Sequence, residues 1–213
     1  MSSISPYKRT AVAHGRPSAR ISPHKQADPW GAGERRCRTN LSFMYGQNSL
    51  PCRINHGSIS NKIEWEVDLE DAAAFNYRLL VTFAEGLREV EHPYTFLARA
   101  GFADLLRTSR GADEAVRLLP ELIGPLRSAL SDRGGDSRDI FLAALDAIRA
   151  LSDAVGAELN GYLSALVVQV AKKLFDPDRA VADAVQATLV HLDERGGPDA
   201  RACIASKVPT YAT

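Results

Sequence analysis

The chain lacks long hydrophobic runs and has few cysteines. No apolar stretch approaches the roughly 18 residues of a membrane span, so the sequence predicts no membrane-spanning helix. Its three cysteines are widely spaced and odd in number, which argues against a disulfide framework and favours a reducing compartment. No apolar run follows the basic residues near its start. We therefore expect no signal peptide and a soluble, intracellular protein.

Recognisable catalytic motifs are also missing. The sequence has no Gly-x-Ser-x-Gly element, no His-Glu-x-x-His element and no Walker-type phosphate loop. Its glycine pairs at 134–135 and 196–197 follow predicted helices, where glycine ends a helix instead of cradling a phosphate. The sequence therefore predicts a protein that is not an enzyme and holds no cofactor.

Cys52 and His56 are a pair with metal-ligand spacing, because they stand four residues apart, and Cys37 precedes them. A structural zinc site takes four ligands, which commonly come as two such pairs. Since a second pair is missing, we predict no metal site. Cys52 is then a small buried side chain and His56 a residue that serves a turn.

The formal net charge of zero hides a strong asymmetry. Residues 1–60 hold nine basic and two acidic side chains, a charge of +7, so the remainder carries −7. Residues 1–43, which we call the basic arm, are rich in Ser, Pro and Arg without periodicity, and this predicts a disordered or extended segment. The candidate partner-binding residues are Lys8, Arg9, Arg16, Arg20, Lys25, Arg35, Arg36 and Arg38.

A basic arm ahead of an acidic body suits an acidic partner, such as nucleic acid, an anionic membrane or an acidic protein tail. A solvated linker is the alternative that charge alone leaves open. Aromatic residues are not interleaved with the arginines and the folded part is acidic, which disfavours nucleic acid.

Residues 44–213 are predicted to form an all-α body, the helical body. From about 73 to 206, apolar residues recur at helical spacing in short segments separated by Gly, Pro and Asp. Such helices must pack on their neighbours, as in an armadillo/HEAT-like helical repeat. Residues 120–126 and 159–165 align loosely at a spacing near the 40 residues of such repeats. Before the helices, alternating segments at about 50–67 predict a small β-hairpin, with Trp65 docking it onto the body.

The Gly, Pro and Asp residues between the apolar segments set the expected helix boundaries. Helices are expected at about 73–91, 93–108, 112–130, 138–155, 159–175 and 177–194. Pro120 and Pro125 lie within the third segment, where we expect them to break or kink it. Gly156 is expected to close the fourth helix, and Asp176 to cap the N-terminus of the last one.

Several stretches resemble a known protein family. They include His-Pro-Tyr-Thr-Phe at 92–96 and Val-Pro-Thr-Tyr at 208–211, together with residues 45–58, 63–65, 83–89 and 118–120. In this order and spacing they resemble the parkin co-regulated proteins, and most closely the parkin co-regulated-like branch. The resemblance covers about residues 44–213 and does not extend to the basic arm.

The resemblance implies an armadillo-like helical fold without enzymatic activity. It also implies a protein of cilia and flagella, since the founding branch lies on axonemal doublet microtubules, helps join the two tubules and contacts tubulin. The leading hypothesis is a non-catalytic, microtubule-associated structural protein of the axoneme, within the cytoplasm and cytoskeleton, with tubulin and other axonemal proteins as partners. A soluble helical-repeat adaptor that binds a peptide or helix of another protein is the alternative.

Overall fold

The computed structural model describes residues 39–57, 61–70 and 75–211. Within them the chain is mostly helical, with one two-stranded antiparallel sheet, as predicted. The elements are α1 (Asn40–Gly46), β1 (Cys52–His56), β2 (Asn61–Trp65), α2 (Leu79–Gly86), α3 (Tyr94–Leu106), α4 (Gly111–Leu130), α5 (Ser137–Val155), α6 (Asn160–Val170) and α7 (Arg179–Lys207). The eight candidate residues from Lys8 to Arg38 lie outside the described residues.

The helices from α2 onward associate in consecutive pairs. α2 packs on α3, α4 on α5, and α6 on α7. The first helices of successive pairs also contact one another, and so do the second helices, because α4 touches both α2 and α6 while α5 touches both α3 and α7. The buried apolar side chains of all these elements form one cluster that runs from Leu41 to Val208. Successive helical pairs therefore share one continuous hydrophobic core.

The described body begins before the boundary predicted at residue 44. α1 places Leu41 fully buried against α2, where Gly86 leaves the space, since a Cβ on Gly86 would lie 2.3 Å from Cδ2 of Leu41. The hydroxyl of Thr39 donates a 2.6 Å hydrogen bond to Oε1 of the buried Glu89. The sequence pattern missed α1 because a helix of seven residues is too short to show a period.

The β-hairpin predicted at about 50–67 is confirmed, with Cys52 paired to Trp65 across the two strands. Trp65 docks the hairpin onto the body. Its ring meets Phe75 and Phe83 edge-to-face, at centroid distances of 5.7 and 6.0 Å. Its Nε1 lies 3.5 Å from Oδ2 of Asp104 on α3, at the long limit of a hydrogen bond. Two strands alone are marginally stable in water, so these contacts hold the sheet in place.

The prediction that Pro120 and Pro125 break the third helical segment was wrong, because α4 runs unbroken from Gly111 to Leu130 with both inside it. Proline keeps a helical φ, and its cost is one missing hydrogen bond and a displaced carbonyl in the preceding turn. Pro120 is exposed and Pro125 half-buried, so water can reach the carbonyl groups that they release. The leucine-rich face of α4 meanwhile packs on α2, α5 and α6, and this burial outweighs the local cost.

Pro120→Ala should raise the free energy of unfolding by about 1 kcal/mol or more. Alanine restores the backbone N–H bond to the Val116 carbonyl and removes the ring from the exposed face of α4, where proline costs about 3 kcal/mol relative to alanine. Losing the proline ring also increases the conformational entropy of the unfolded chain, and this offsets about 0.4–1 kcal/mol of the gain. Urea unfolding followed by circular dichroism measures the difference. Pro120→Gly restores the same N–H but disfavours helix, so it should gain less; a loss of stability in Pro120→Ala would contradict the explanation given for α4.

The N-terminus of α7 differs from the prediction. Asp178 caps the helix, not Asp176, since its Oδ1 accepts the backbone N–H of Ala180 at 2.9 Å. Asp176 instead accepts the N–H of Asp178 at 2.9 Å and forms the turn that precedes the cap. The hydrogen bond from the Arg138 guanidinium, followed by the bond from Ala180, lowers the pKa of Asp178. Arg138 therefore ties the start of α5 to the start of α7.

Two glycines end helical segments as their sequence positions predicted. Gly156 follows α5 with a φ of +55°, a left-handed conformation that glycine adopts without strain. Gly197 has a φ of +69° and interrupts α7, which therefore consists of two helical segments. The second segment carries Ile204 into the core and ends at Lys207, and the next residue, Val208, is also buried.

Candidate interaction surface

The helical body is acidic, and its arginines are largely engaged. Residues 44–213 contain 18 basic and 24 acidic side chains, a net charge of −6. Many arginines lie in ion pairs with carboxylates of the body, including those at positions 53, 78, 107, 110, 117, 138, 149, 179, 195 and 201. Most of these pairs are exposed and contribute little stability. They neutralise much of the positive charge of the body, and the excess of basic over acidic residues in the sequence lies in residues 1–43.

The chain enters the described body at Thr39, beside an open concave site of about 440 Å³. This site is formed by residues of α1, α2 and α4, among them Asn40, Glu85 and Ser128. Its side chains are mixed in charge and polarity and include no metal-ligand set, so the geometry supports no specific small-molecule chemistry there.

Cys52 and His56 are not brought together by the fold. They lie at the two ends of β1, four residues apart along a strand, which is about 13 Å at the usual rise. The Nδ1 of His56 lies 3.0 Å from Oδ1 of Asn61 across the hairpin, so this histidine serves the turn. Within residues 39–57, 61–70 and 75–211, no group of three His, Cys, Asp or Glu side chains could hold a metal ion. Cys37 lies outside these ranges, and the expectation that the protein needs no metal stays a prediction.

Burial of the Cys52 thiol, with a smaller effect of the Glu66 carboxylate, raises its pKa from 9.0 to about 11. We therefore expect Cys52 to react with thiol reagents at pH 8 far more slowly than the half-buried Cys203. The folded pKa is the higher one, so the stability that the neutral thiol contributes is present below pH 9 and is lost as the pH rises toward 11. Urea midpoints at pH 8.5 and 10.5 should separate more in the native protein than in Cys52→Ala. Equal separations would contradict this assignment.

A contact between α5 and α7 gathers three titratable side chains. Oδ1 of Asp153 lies 2.7 Å from Nε of Arg195 and 3.1 Å from Nε2 of His191. The histidine contact lacks hydrogen-bond geometry. Among the residues that the structure describes, no hydroxyl or thiol bonds to the ring of His191, so the group lacks the nucleophile that an acid–base pair would activate. Its structural role is to join the two helices.

None of the helices within the described ranges is both long enough and apolar enough to cross a membrane. What the described body offers is surface: an acidic exterior, a docked hairpin, and grooves between helices.

Comparison with known proteins places the chain in a family. The model of the parkin co-regulated protein family matches residues 39–213, which is most of the chain and includes all of its described part. The parkin coregulated gene protein homolog of mouse is 28% identical over 216 residues, and the match covers 95% of this chain and 84% of the mouse protein. The resemblance first seen in short motifs thus extends through every helix of the body, and the chain belongs to the parkin co-regulated protein family.

Proposed function

We propose that this chain is a non-catalytic, microtubule-associated structural protein of the ciliary or flagellar axoneme. Family membership supports this proposal, because the axonemal role is the one that the family resemblance implies. The observation that carries it for this chain is the separation of charge. Residues 1–43 hold eight basic and two acidic side chains, a net charge of +6, whereas the body carries −6.

The surface of a microtubule is strongly acidic, so an acidic helical body is repelled by it at long range. The body cannot supply a compensating basic patch readily, since most of its arginines are already paired with carboxylates. The basic arm, with its net charge of +6, can supply the attraction. Tubulin would therefore be met first by the arm, and the helical body would present its own surfaces to other axonemal proteins.

The body itself is best explained as an armadillo/HEAT-like repeat, which suits a scaffold. Side chains bridge successive helical pairs at spacings close to one repeat: Arg99 to the carbonyl of Asp139, Arg138 to Asp178, and Ser131 to Gln169. These bonds join residues 40, 40 and 38 positions apart. Regular bridging of this kind is expected when one helical pair repeats along a stack.

Co-sedimentation of the full-length protein with purified microtubules tests the proposal. We expect saturable binding at low salt that weakens as salt shortens the Debye length from about 10 Å toward about 3 Å. Microtubules whose acidic C-terminal tails have been removed by subtilisin should bind less protein. Absence of saturable binding at low salt would overturn the proposed contact with tubulin.

A further inference from the structure

The last helical pair, α6 and α7, leaves a conspicuous apolar surface in contact with solvent. Phe175, in the turn between the two helices, is 83% exposed, and Val190 on α7 is 41% exposed. Both line one groove of about 720 Å³ between α7 and residues 208–211, which we call the C-terminal segment. Its apolar lining also includes Leu189, Val208 and Tyr211. Two exposed apolar side chains that share one groove, and that the described residues leave uncovered, are typical of an interaction site.

The position of the groove indicates what shape would cover it. α5 has neighbours on both sides in its row, α3 and α7, but α7 is the last helix of that row among the described residues. The C-terminal segment covers only one edge of α7, where Val208 is buried and the hydroxyl of Tyr211 donates a 3.1 Å hydrogen bond to Oδ2 of Asp193. The remaining face of α7 is the place that another helix would occupy if the row continued.

The charges around the groove are acidic once internal pairs are set aside. Asp193 is satisfied by Arg201, whose Nε lies 3.0 Å from its Oδ1, and by Tyr211. Glu194 lines the groove, is exposed, and has no ion pair among the described residues. Asp183, eleven residues earlier on the same helix, lines the adjoining face; it has only a 3.6 Å contact with Arg179, and both side chains are well exposed.

These charges decide between possible occupants. A second copy of the chain packed through the same face would bring the acidic side chains of two α7 helices together, which disfavours a symmetric dimer. The acidic surface of a microtubule is disfavoured for the same reason. A partner with an apolar face and basic side chains would cover the exposed ring of Phe175 and pair with the carboxylates of Glu194 and Asp183.

We propose that the groove between α7 and the C-terminal segment binds an amphipathic helix of another protein. The helix places apolar side chains against Phe175 and Val190 and a lysine or arginine against Glu194. It thereby extends the row of second helices by one member. This surface lies near the C-terminal end of the described chain, whereas the basic arm comprises residues 1–43. If the basic arm binds the microtubule and the groove binds this helix, the protein would connect an acidic microtubule with a basic helical partner.

Fluorescence anisotropy of the full-length protein with a labelled peptide tests this inference. The probe is an acetylated and amidated peptide of about 18 residues, long enough to form helix on binding, with leucines at i, i+3, i+4 and i+7 spacing and lysines on its other face. A second probe carries glutamate in place of each lysine. We expect saturable binding of the lysine probe and at least about tenfold weaker binding of the glutamate probe.

Phe175→Ser should weaken binding of the lysine probe about tenfold or more, because it removes the aromatic anchor from an already exposed position without opening the core. Glu194→Lys should weaken it about three- to tenfold, and high salt should abolish that difference. Matched controls are Val168→Ser, which changes another exposed apolar side chain outside the groove, and Glu91→Lys, which reverses an exposed acid in the loop before α3. Both should bind the probe as the native protein does.

Three results would overturn the inference. They are failure of the native protein to bind the lysine probe, equal binding by Phe175→Ser, and equal binding of the two probes. Light scattering adds a fourth, since a dimer that Phe175→Ser dissociates and the probe does not would identify a second copy as the occupant. None of these outcomes bears on the microtubule proposal, because the groove and the basic arm are tested by separate variants.

Discussion

Trp65→Ala should lower the free energy of unfolding by about 3 kcal/mol or more. The substitution removes the ring that Phe75 and Phe83 contact edge-to-face and leaves a cavity between the hairpin and α2. It also removes the polar contact with Asp104. Because the two strands have little stability of their own, we expect the whole hairpin to detach. Chemical unfolding of the full-length variant measures the loss.

Two companion variants separate the causes of that loss. Glu64→Ala changes the exposed neighbour of Trp65 on the other face of β2 and should cost less than about 0.5 kcal/mol. Trp65→Phe keeps an aromatic ring but loses Nε1, so it should fall between the other two variants. If Trp65→Ala had the stability of the native protein, the hairpin would be a free flap and the assigned docking would be wrong.

Removing residues 1–38 should weaken microtubule binding at low salt by about tenfold or more. The deletion removes all eight candidate basic residues and a net charge of +6 while leaving Thr39, which bonds Glu89, in place. Loss of electrostatic steering and attraction of this size commonly changes association by one to three orders of magnitude. Co-sedimentation at several salt concentrations gives the affinity, and circular dichroism shows whether the helical body is intact.

A length-matched arm without basic residues distinguishes attraction by the arm from a simple tethering effect. An arm of equal length in which lysines and arginines are replaced by serine should bind as weakly as the deletion. Arg35→Glu, Arg36→Glu and Arg38→Glu together lower the net charge of the arm from +6 to 0, and they should weaken binding at low salt toward that of the deletion. If the deletion bound microtubules as tightly as the full chain, the basic arm would be a linker, and recognition would belong to the helical surface.

Sequence patterns were sufficient wherever a local signal and the tertiary packing agreed. The alternation of apolar and polar residues around Trp65 correctly predicted the hairpin, and Gly156 correctly predicted the end of α5. Both features depend on residues close in sequence. The periodic leucines gave most helices for the same reason. The family itself was visible in short motifs, and its match over residues 39–213 confirms that interpretation.

The patterns failed where distant residues decide the outcome. Pro120 and Pro125 are tolerated because three neighbouring helices hold α4 together, which no local propensity encodes. α1 is stabilised by the fit of Leu41 over Gly86, two residues 45 positions apart. The exposed Phe175 looked like one more apolar residue at a helix end. Only the three-dimensional position of its neighbours shows that it lines an unfilled groove.

The proposed axonemal role is tested most directly by the position of the protein in a ciliated cell. A tagged full-length copy is expressed, the membrane is removed with mild detergent, and the protein is located relative to tubulin. The account predicts that it stays along the demembranated axoneme, is released by high salt, and is lost from it when residues 1–38 are removed. A protein that washes out with the soluble fraction at low salt, or that never enters the cilium, would contradict the account.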